Sequence, residues 1–216
     1  MKYEFTGEVK ICFGRTLHQI RAKISFGNIA KGDIGGWIES EKNLSQEGNA
    51  WVSGDARVFG DAWVSGNAWV SGNAWVSGDA RVFGDACVSG NARVSGDAWV
   101  SGNARVSGDA RVSGDACVFG DAWVFGDACV SGNASIMWIS NIGSRSDTTT
   151  FFLGKKKEII VNCGCFHGTI EQFQEAVEKK HGDNLHGKMY RLAIEMAKMK
   201  LQSATNEPPE EGEADE

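Results

Sequence analysis

The chain has 216 residues, of which 42% are apolar, and this length allows one or two domains with a core of ordinary size. Two prolines stand against 28 glycines that mostly recur at one spacing, which argues against collagen and against a disordered low-complexity chain. The last ten residues carry six acidic side chains, equal to the whole net charge of −6. The rest of the chain is therefore close to neutral, unlike an acidic mimic of DNA. The sequence has no run of about 18 apolar residues, so no membrane partner is expected.

Residues 1–47 predict a β cap and an irregular first coil. The first ten residues lack the apolar stretch of a secretory signal, and the six cysteines do not suggest a disulfide framework, so we expect a cytoplasmic protein with reduced thiols. The stretches YEFTGEVKICF and HQIRAKISF alternate in polarity around Gly14 and Arg15, as in a hairpin. Ile38 and Leu44 precede Ala50 by multiples of six residues, so we expect them at the inward alanine position of a coil that begins near Gly36.

From Gly48 to Met137 the sequence is a series of fifteen uninterrupted hexads. Each hexad reads Gly, Asp or Asn, Ala, a variable residue, Val, and Ser or Phe, with Ile136 and Met137 as the exceptions. Ala and Val alternate with period two, so each hexad predicts a short strand with two inward side chains and a Gly-Asp or Gly-Asn corner. Three hexads make one triangular coil, so the repeats predict about five coils stacked about 4.8 Å apart around a narrow interior.

The variable position points outward and carries tryptophan and arginine at most places. Residues 18 apart share a column, and the candidate binding residues are Arg57, Trp75, Arg93, Arg111, Trp51, Trp69, Trp63 and Trp99. One interpretation is that these columns stabilise the coil through apolar and cation–π contacts. The other is a binding surface, since exposed aromatic area of this extent often marks a partner or ligand site. Rows of aspartate at the corners argue against nucleic acid as the partner.

After the repeats, the sequence predicts a small α+β cap. Trp138, Ile139 and Ile142 are expected to extend the coil, so the β-helix is predicted over 48–142 and the cap over 143–206. Strands are predicted at 151–153 and 158–163, a helix with a capping box at 169–172 that ends near Gly182, and a second helix from about Gly187 to Leu201. Residues 207–216 are expected to be disordered.

The second predicted helix is apolar on two sides. One side carries Tyr190, Ala193, Ile194, Ala197 and Leu201, and the other carries Met189, Leu192, Met196 and Met199. A helix that is apolar on two sides usually packs on two partners. We therefore expect the second side to contact another subunit in a homo-oligomer, either a dimer or a trimer.

Cys163, Cys165 and His167 are the weak candidates for a metal site. They alternate along an expected strand and could point the same way, but a fourth ligand is not evident. A cap packed by small cysteine side chains is the alternative that we favour. We predict neither a metal nor a cofactor.

The hexads resemble those of the hexapeptide-repeat family, and this resemblance implies a left-handed parallel β-helix. It also suggests an acyltransferase, because that family is best known for such enzymes. Its transferases commonly carry a loop inserted into the coil, whereas the fifteen hexads have none, and His18, His167, His181 and His186 all lie outside them. We predict no catalytic residue and keep the acyltransferase as an alternative.

A narrower resemblance covers almost the whole chain. The segments GDIGGWIESEKNLSQEGNAWVSGDARV and CGCFHGTIEQFQEAVEKKHGDN look like those of uncharacterised phage and prophage proteins. This resemblance implies an accessory phage protein, and we expect a non-enzymatic binding protein in the host cytoplasm with a possible anti-defence role. Its partner would be a host protein or a small nucleotide signal. A structural component of the virion is a further alternative.

Overall fold

The computed structural model describes residues 1–132 and 135–206, the last four of these by their backbone alone. The chain divides between residues 133 and 134 into two compact units. The first consists of β-structure and the second contains an antiparallel sheet with two helices. Within the described ranges, no helix is both long enough and apolar enough to cross a membrane. The predicted disordered tail, residues 207–216, lies outside the described residues.

The N-terminal segment forms a hairpin that continues into the repeats. Strands β1 (Tyr3–Cys12) and β2 (Arg15–Ala22) are antiparallel, and β3 (Ile34–Ile38) pairs with β2. Strand β3 also pairs in parallel with the first hexad strand on its side, through Trp37 and Arg57. The hairpin therefore covers an edge of the first coil that would otherwise expose unpaired backbone groups.

Each of the first fourteen hexads forms a strand of two residues, the variable residue and the valine after it. These strands are β4 (Trp51–Val52), β5 (Arg57–Val58), β6 (Trp63–Val64), β7 (Trp69–Val70), β8 (Trp75–Val76), β9 (Arg81–Val82), β10 (Cys87–Val88), β11 (Arg93–Val94), β12 (Trp99–Val100), β13 (Arg105–Val106), β14 (Arg111–Val112), β15 (Cys117–Val118), β16 (Trp123–Val124) and β17 (Cys129–Val130).

Strands 18 residues apart pair in parallel, and three sheets result. Face 1 is the sheet of β4, β7, β10, β13 and β16; face 2 contains β5, β8, β11, β14 and β17; face 3 contains β6, β9, β12 and β15. The alanines and valines point inward, and Ala74 and Val76, for example, have no exposed surface. The prediction of a mainly β fold with a solenoid of about five turns is confirmed. The left-handed sense that the family resemblance implies stays a prediction.

In the first coil, Ile38 and Leu44 occupy a different position of the repeat from the one that the sequence predicts. Ile38 pairs with Val58 and Leu44 bridges Val64, so both occupy the valine position and not the alanine position. The reason is a longer corner, since Val52 follows Leu44 by eight residues where regular repeats have six. Just before that corner, the side chain of Asn43 makes hydrogen bonds that backbone N–H groups make in the regular coils. Its Nδ2 donates to the carbonyls of Gly60 and Ala62, each at 2.9 Å.

The second unit contains β18 (Ile136–Ile142), β19 (Asp147–Leu153), β20 (Ile159–Cys163) and β21 (Phe166–Thr169) in one antiparallel sheet. Residues 136–142 differ here from the expectation that they extend the coil, because they pair with β19 in the opposite direction. Helices α1 (Ile170–His181) and α2 (Leu185–Asn206) follow. The capping box forms as predicted: the Thr169 N–H donates to Gln172 Oε1 at 2.9 Å, and the Gln172 N–H donates to Thr169 Oγ1 at 3.4 Å.

One apolar core holds the second unit together. Its central members are Phe151, Val161, Ile170, Phe173 and Tyr190, with Ile194, Ala197 and Leu201 from α2. Helix α2 is thus anchored by the side that the sequence predicts as apolar and inward.

Candidate functional site

The outward residues of the hexads stack in the three predicted columns. Face 1 carries Trp51, Trp69, Cys87, Arg105 and Trp123; face 2 carries Arg57, Trp75, Arg93, Arg111 and Cys129; face 3 carries Trp63, Arg81, Trp99 and Cys117. Their exposure differs from column to column, because the N-terminal segment covers part of two faces.

On face 1, Trp51 is not available to a partner. It retains 1% of its surface exposed, because Tyr3 and Phe26 pack against its ring with centroid distances of 6.4 and 5.4 Å. The expectation that Trp51 belongs to a binding surface is therefore wrong, and the residue anchors the cap. Trp69, its neighbour in the column, is half-buried.

On face 2, Trp75 lies between two arginines. The guanidinium carbons of Arg57 and Arg93 are 5.2 and 4.5 Å from its ring centroid. Phe13 at the hairpin turn meets the same ring edge-on at 5.0 Å, and Arg57 Nη1 donates to Cys12 Sγ at 3.4 Å. These contacts give Arg57 and Trp75 the stabilising role that the first interpretation assigns to the columns.

Farther along face 2, the arginine side chains become exposed to solvent. Arg93 and Arg111 are exposed, whereas Arg57 and Trp75 are half-buried. The structure thus separates the four candidate residues of this face into an inner pair that holds the hairpin and an outer pair that faces solvent.

Face 3 presents the most exposed tryptophans. Trp63 and Trp99 expose 43% and 45% of their surface. Arg81 lies between them in the column with its guanidinium carbon 5.4 Å from the Trp99 ring centroid, and Phe83 meets that ring edge-on at 6.0 Å. Phe119, on the strand-end position one coil beyond Trp99, is 50% exposed.

The sequence interpretation missed Phe83 and Phe119. Both occupy the sixth hexad position, which is serine in most repeats, and they are 36 residues apart. Alignment of the sixth position at the spacing of one coil places them in the same column, beside Trp63 and Trp99. The sequence therefore carries this signal in the sixth hexad position and not in the variable one.

One edge of face 3 is a column of carboxylates. Asp61, Asp79, Asp97 and Asp115 each stand two residues before an outward residue of face 3. The pairing of the strands places these side chains one coil apart, at roughly 4.8 Å. Face 3 therefore joins exposed aromatic rings to a run of four carboxylates, of which Asp61 lines a cavity together with Arg15 and Lys42.

At the other two corners, hydrogen bonds donated by asparagine side chains replace this run of like charges. Asn49 Nδ2 donates to Asn67 Oδ1 at 3.0 Å, and Asn67 Nδ2 donates to Asp85 Oδ1 at 3.0 Å. At the next corner, Asn91 Nδ2 donates to Asp109 Oδ1 at 3.1 Å. The three corners are thus chemically different, although their backbones repeat.

The structure separates the weak metal candidates. Cys163 ends β20, and Gly164 and Cys165 form the turn to β21, so the expected single strand is in fact a hairpin. Cys163 is buried and accepts from Thr149 Oγ1 at 3.2 Å, whereas Cys165 is exposed. His167 Nδ1 lies 2.6 Å from Asn162 Oδ1. Over residues 1–132 and 135–206, no group of three His, Cys, Asp or Glu side chains could hold a metal, and all six cysteines are free thiols.

The four histidines lie in the hairpin and in the second unit. His18 stacks on Phe5 with ring centroids 4.8 Å apart, and His181 lies 5.9 Å from His186. A general base for acyl transfer would therefore have to act from outside the repeats, as the sequence already indicates.

The second apolar side of α2 is exposed. Leu192, Met196 and Met199 expose 62%, 51% and 70% of their surface, and Met189 is half-buried. Leu185, which the predicted helix did not include, is 69% exposed on the same side.

The solenoid repeats have a counterpart among known protein families. Five overlapping segments, residues 50–66, 62–78, 86–102, 98–114 and 104–120, match the family model described as the YdcK beta solenoid repeat. No curated protein matches the chain. The matched segments cover less than half of the chain and lie entirely within the hexads, so the similarity concerns the repeat and supports a β-helix repeat architecture.

Proposed function

We propose that the protein is a non-enzymatic binding protein that engages a host protein through face 3. The observation that carries this proposal is the exposure of Trp63 and Trp99. The N-terminal segment packs on Trp51 of face 1 and on Trp75 of face 2, while Trp123 of face 1 is 39% exposed. Face 3 differs because it carries two tryptophans that are close to half exposed, together with Phe119 at 50%. Rigidly held aromatic side chains bind at low cost in conformational entropy and are enriched at the centres of protein interfaces.

The charges beside face 3 favour a protein over a nucleotide. A nucleotide brings phosphates, which the carboxylates of Asp61, Asp79, Asp97 and Asp115 would repel. Arg81 is the one basic residue in this column, and it already contacts the Trp99 ring. A protein surface with lysine or arginine near an apolar centre would instead meet both features, the carboxylates and the rings.

The biological setting follows from the resemblance to phage and prophage proteins. An accessory phage protein of this kind would act in the host cytoplasm, and occupation of a defence protein is a role that requires binding and no chemistry. The backbone bonds between coils hold the rings of face 3 in place, so little freedom is lost when a partner binds.

The experiment is affinity capture from host lysate with the tagged full-length chain and a double variant, Trp63→Thr with Trp99→Thr. Threonine keeps the β-branched shape that strands favour and removes the rings. We expect the affinity for the captured partner to fall by at least about 30-fold, since the loss of even one buried aromatic anchor costs about 2 kcal/mol.

The matched control is Arg105→Thr, which changes an exposed outward residue at the same hexad position on face 1. It should recover as much partner as the wild type, and all three proteins should melt at similar temperatures. Equal recovery with the double variant and the wild type would overturn the assignment to face 3.

A further inference from the structure

Helix α2 carries a second, regular apolar stripe. Leu185, Met189, Leu192, Met196 and Met199 are spaced alternately by four and three residues. At 3.6 residues per turn these positions fall within an arc of about 80°. Such a narrow stripe with a mean spacing of 3.5 residues is the seam of a two-stranded coiled coil, with Met189 and Met196 at a positions and the others at d positions.

Four of the five seam residues are exposed, whereas Met189 is half-buried and packs against the core of the second unit. Ala193, Ile194, Ala197 and Leu201 of the same helix are buried in the core of that unit. Leu185, Leu192 and Met199 on the seam expose between 62% and 70% of their surface. The unit therefore fixes the helix from one side and leaves the four exposed residues of the seam on the other, as part of a preformed half of an interface.

The charges beside the seam match a second copy of the same helix. In a parallel, in-register pair, each g residue faces the e residue that lies five positions later on the partner helix. Glu195 is at g and Lys200 is at e, and both are exposed, so two symmetric ion pairs would flank the seam. Lys188 at the preceding g position would face Ala193, so no pair of like charges is created.

The burial of Ala193 also limits the number of helices. This e position is 2% exposed because the core of its own unit covers it. Larger coiled coils bury e and g positions together with a and d, and here the e side is already occupied. The available surface thus fits one partner helix.

We propose that two copies of this chain associate through a parallel coiled coil formed by their α2 helices. The proposal is independent of the function assigned to face 3, since it rests on the second unit alone. It makes the protein a bivalent binder, because each copy carries its own solenoid.

The test is sedimentation equilibrium of the full-length chain over a concentration series. We expect a reversible dimer in the wild type and a monomer for Leu192→Glu, whose side chain is exposed in the single chain, so the melting of the monomer should be preserved. A wild type that stays monomeric at every concentration would overturn the proposal.

Charge exchange tests the parallel arrangement. Glu195→Lys and Lys200→Glu each place like charges opposite one another, and each should raise the dissociation constant about tenfold at low salt. The double variant restores opposite charges and should recover the wild-type constant. Glu175→Lys and Lys180→Glu on α1 are the controls, since both residues are exposed away from the seam. A dimer that Leu192→Glu dissociates but neither single exchange weakens would contradict the parallel pairing.

Discussion

Gly78 shows how closely neighbouring coils approach at a corner. Its φ is +66°, a conformation that costs an ordinary residue about 1–2 kcal/mol. A Cβ atom at this position would also lie 2.9 Å from the backbone nitrogen of Gly96 in the next coil. Glycine is therefore required at this corner for two separable reasons, backbone conformation and space.

We expect Gly78→Ala to lower the free energy of unfolding by roughly 2–4 kcal/mol, measured by urea denaturation. Gly14→Ala is the matched control, because Gly14 has a φ of +71° and nothing within 4 Å of the added Cβ. It should cost roughly 1–2 kcal/mol. Equal losses in the two variants would show that space between coils is not limiting.

Lys2 is an unusually buried lysine at the start of the solenoid. It is 3% exposed, and its Nζ donates to the carbonyl of Ala50 at 2.9 Å and lies 5.0 Å from the Phe26 ring centroid. Burial lowers the pKa of Lys2 from 10.5 to about 8. The charged form is thus less favoured in the folded protein than in the unfolded chain.

This pKa shift predicts a rise of stability with pH. Below about pH 8 both states hold the proton, but between about pH 8 and 10 the unfolded chain binds more protons, so the free energy of unfolding increases. We expect a gain of roughly 2 kcal/mol relative to Lys2→Met across this range. If the free energies of unfolding of the wild type and Lys2→Met changed equally with pH, this explanation would be contradicted. The window ends near pH 10, because burial raises the pKa of Tyr3 and its retained proton lowers stability above that pH.

At the scale of elements, the three corners allow a test of how stacked charges affect the solenoid. Asp97 lies between Asp79 and Asp115 in the carboxylate column, and like charges opposite one another destabilise a sheet. Asp97→Asn should therefore raise the free energy of unfolding by about 0.5 kcal/mol, and by less at high salt.

The reciprocal change is Asn91→Asp, at one of the two corners where asparagine side chains donate hydrogen bonds between coils. Asn91 donates to Asp109, so the substitution removes a hydrogen bond and stacks two carboxylates. It should lower stability by about the amount that Asp97→Asn gains, or more. Thermal melts at two salt concentrations measure both changes. A loss of stability in Asp97→Asn would mean that the carboxylates are held by contacts stronger than their repulsion.

The repeats could be predicted from the sequence because period and geometry are linked. A six-residue unit with inward Ala and Val fixes the strands, and the 18-residue coil fixes which outward residues stack, as with Arg93 and Arg111. The burial of Trp51 could not be predicted in this way. It depends on where Tyr3 and Phe26 fold back, and such long-range contacts leave no periodic signal.

Short turns explain the other differences. Cys163 and His167 alternate in the sequence, but a turn at Gly164 and Cys165 separates them, and alternation alone does not reveal a two-residue turn. Leu44 has the right polarity for an inward residue, yet a corner two residues longer shifts its position. Polarity thus predicted which side chains point inward, whereas the register depended on the lengths of turns.

At the scale of the molecule, our two proposals assign separable tasks to the two units. The solenoid holds Trp63 and Trp99 on a rigid face, and the second unit carries the α2 seam that we propose joins two copies. Variants of one unit should leave the other property unchanged. We expect Leu192→Glu to retain the partner of face 3 with lower avidity, and the Trp63 and Trp99 double variant to remain a dimer. Sedimentation together with capture measures both, and coupled losses would contradict this division.

The most direct test of the binding function is native mass spectrometry of the tagged chain recovered from host lysate. We predict a stoichiometric complex that contains a host protein, and its absence when Trp63 and Trp99 are both threonine. A bound mass of nucleotide size, or a host protein retained equally by the double variant, would contradict the account.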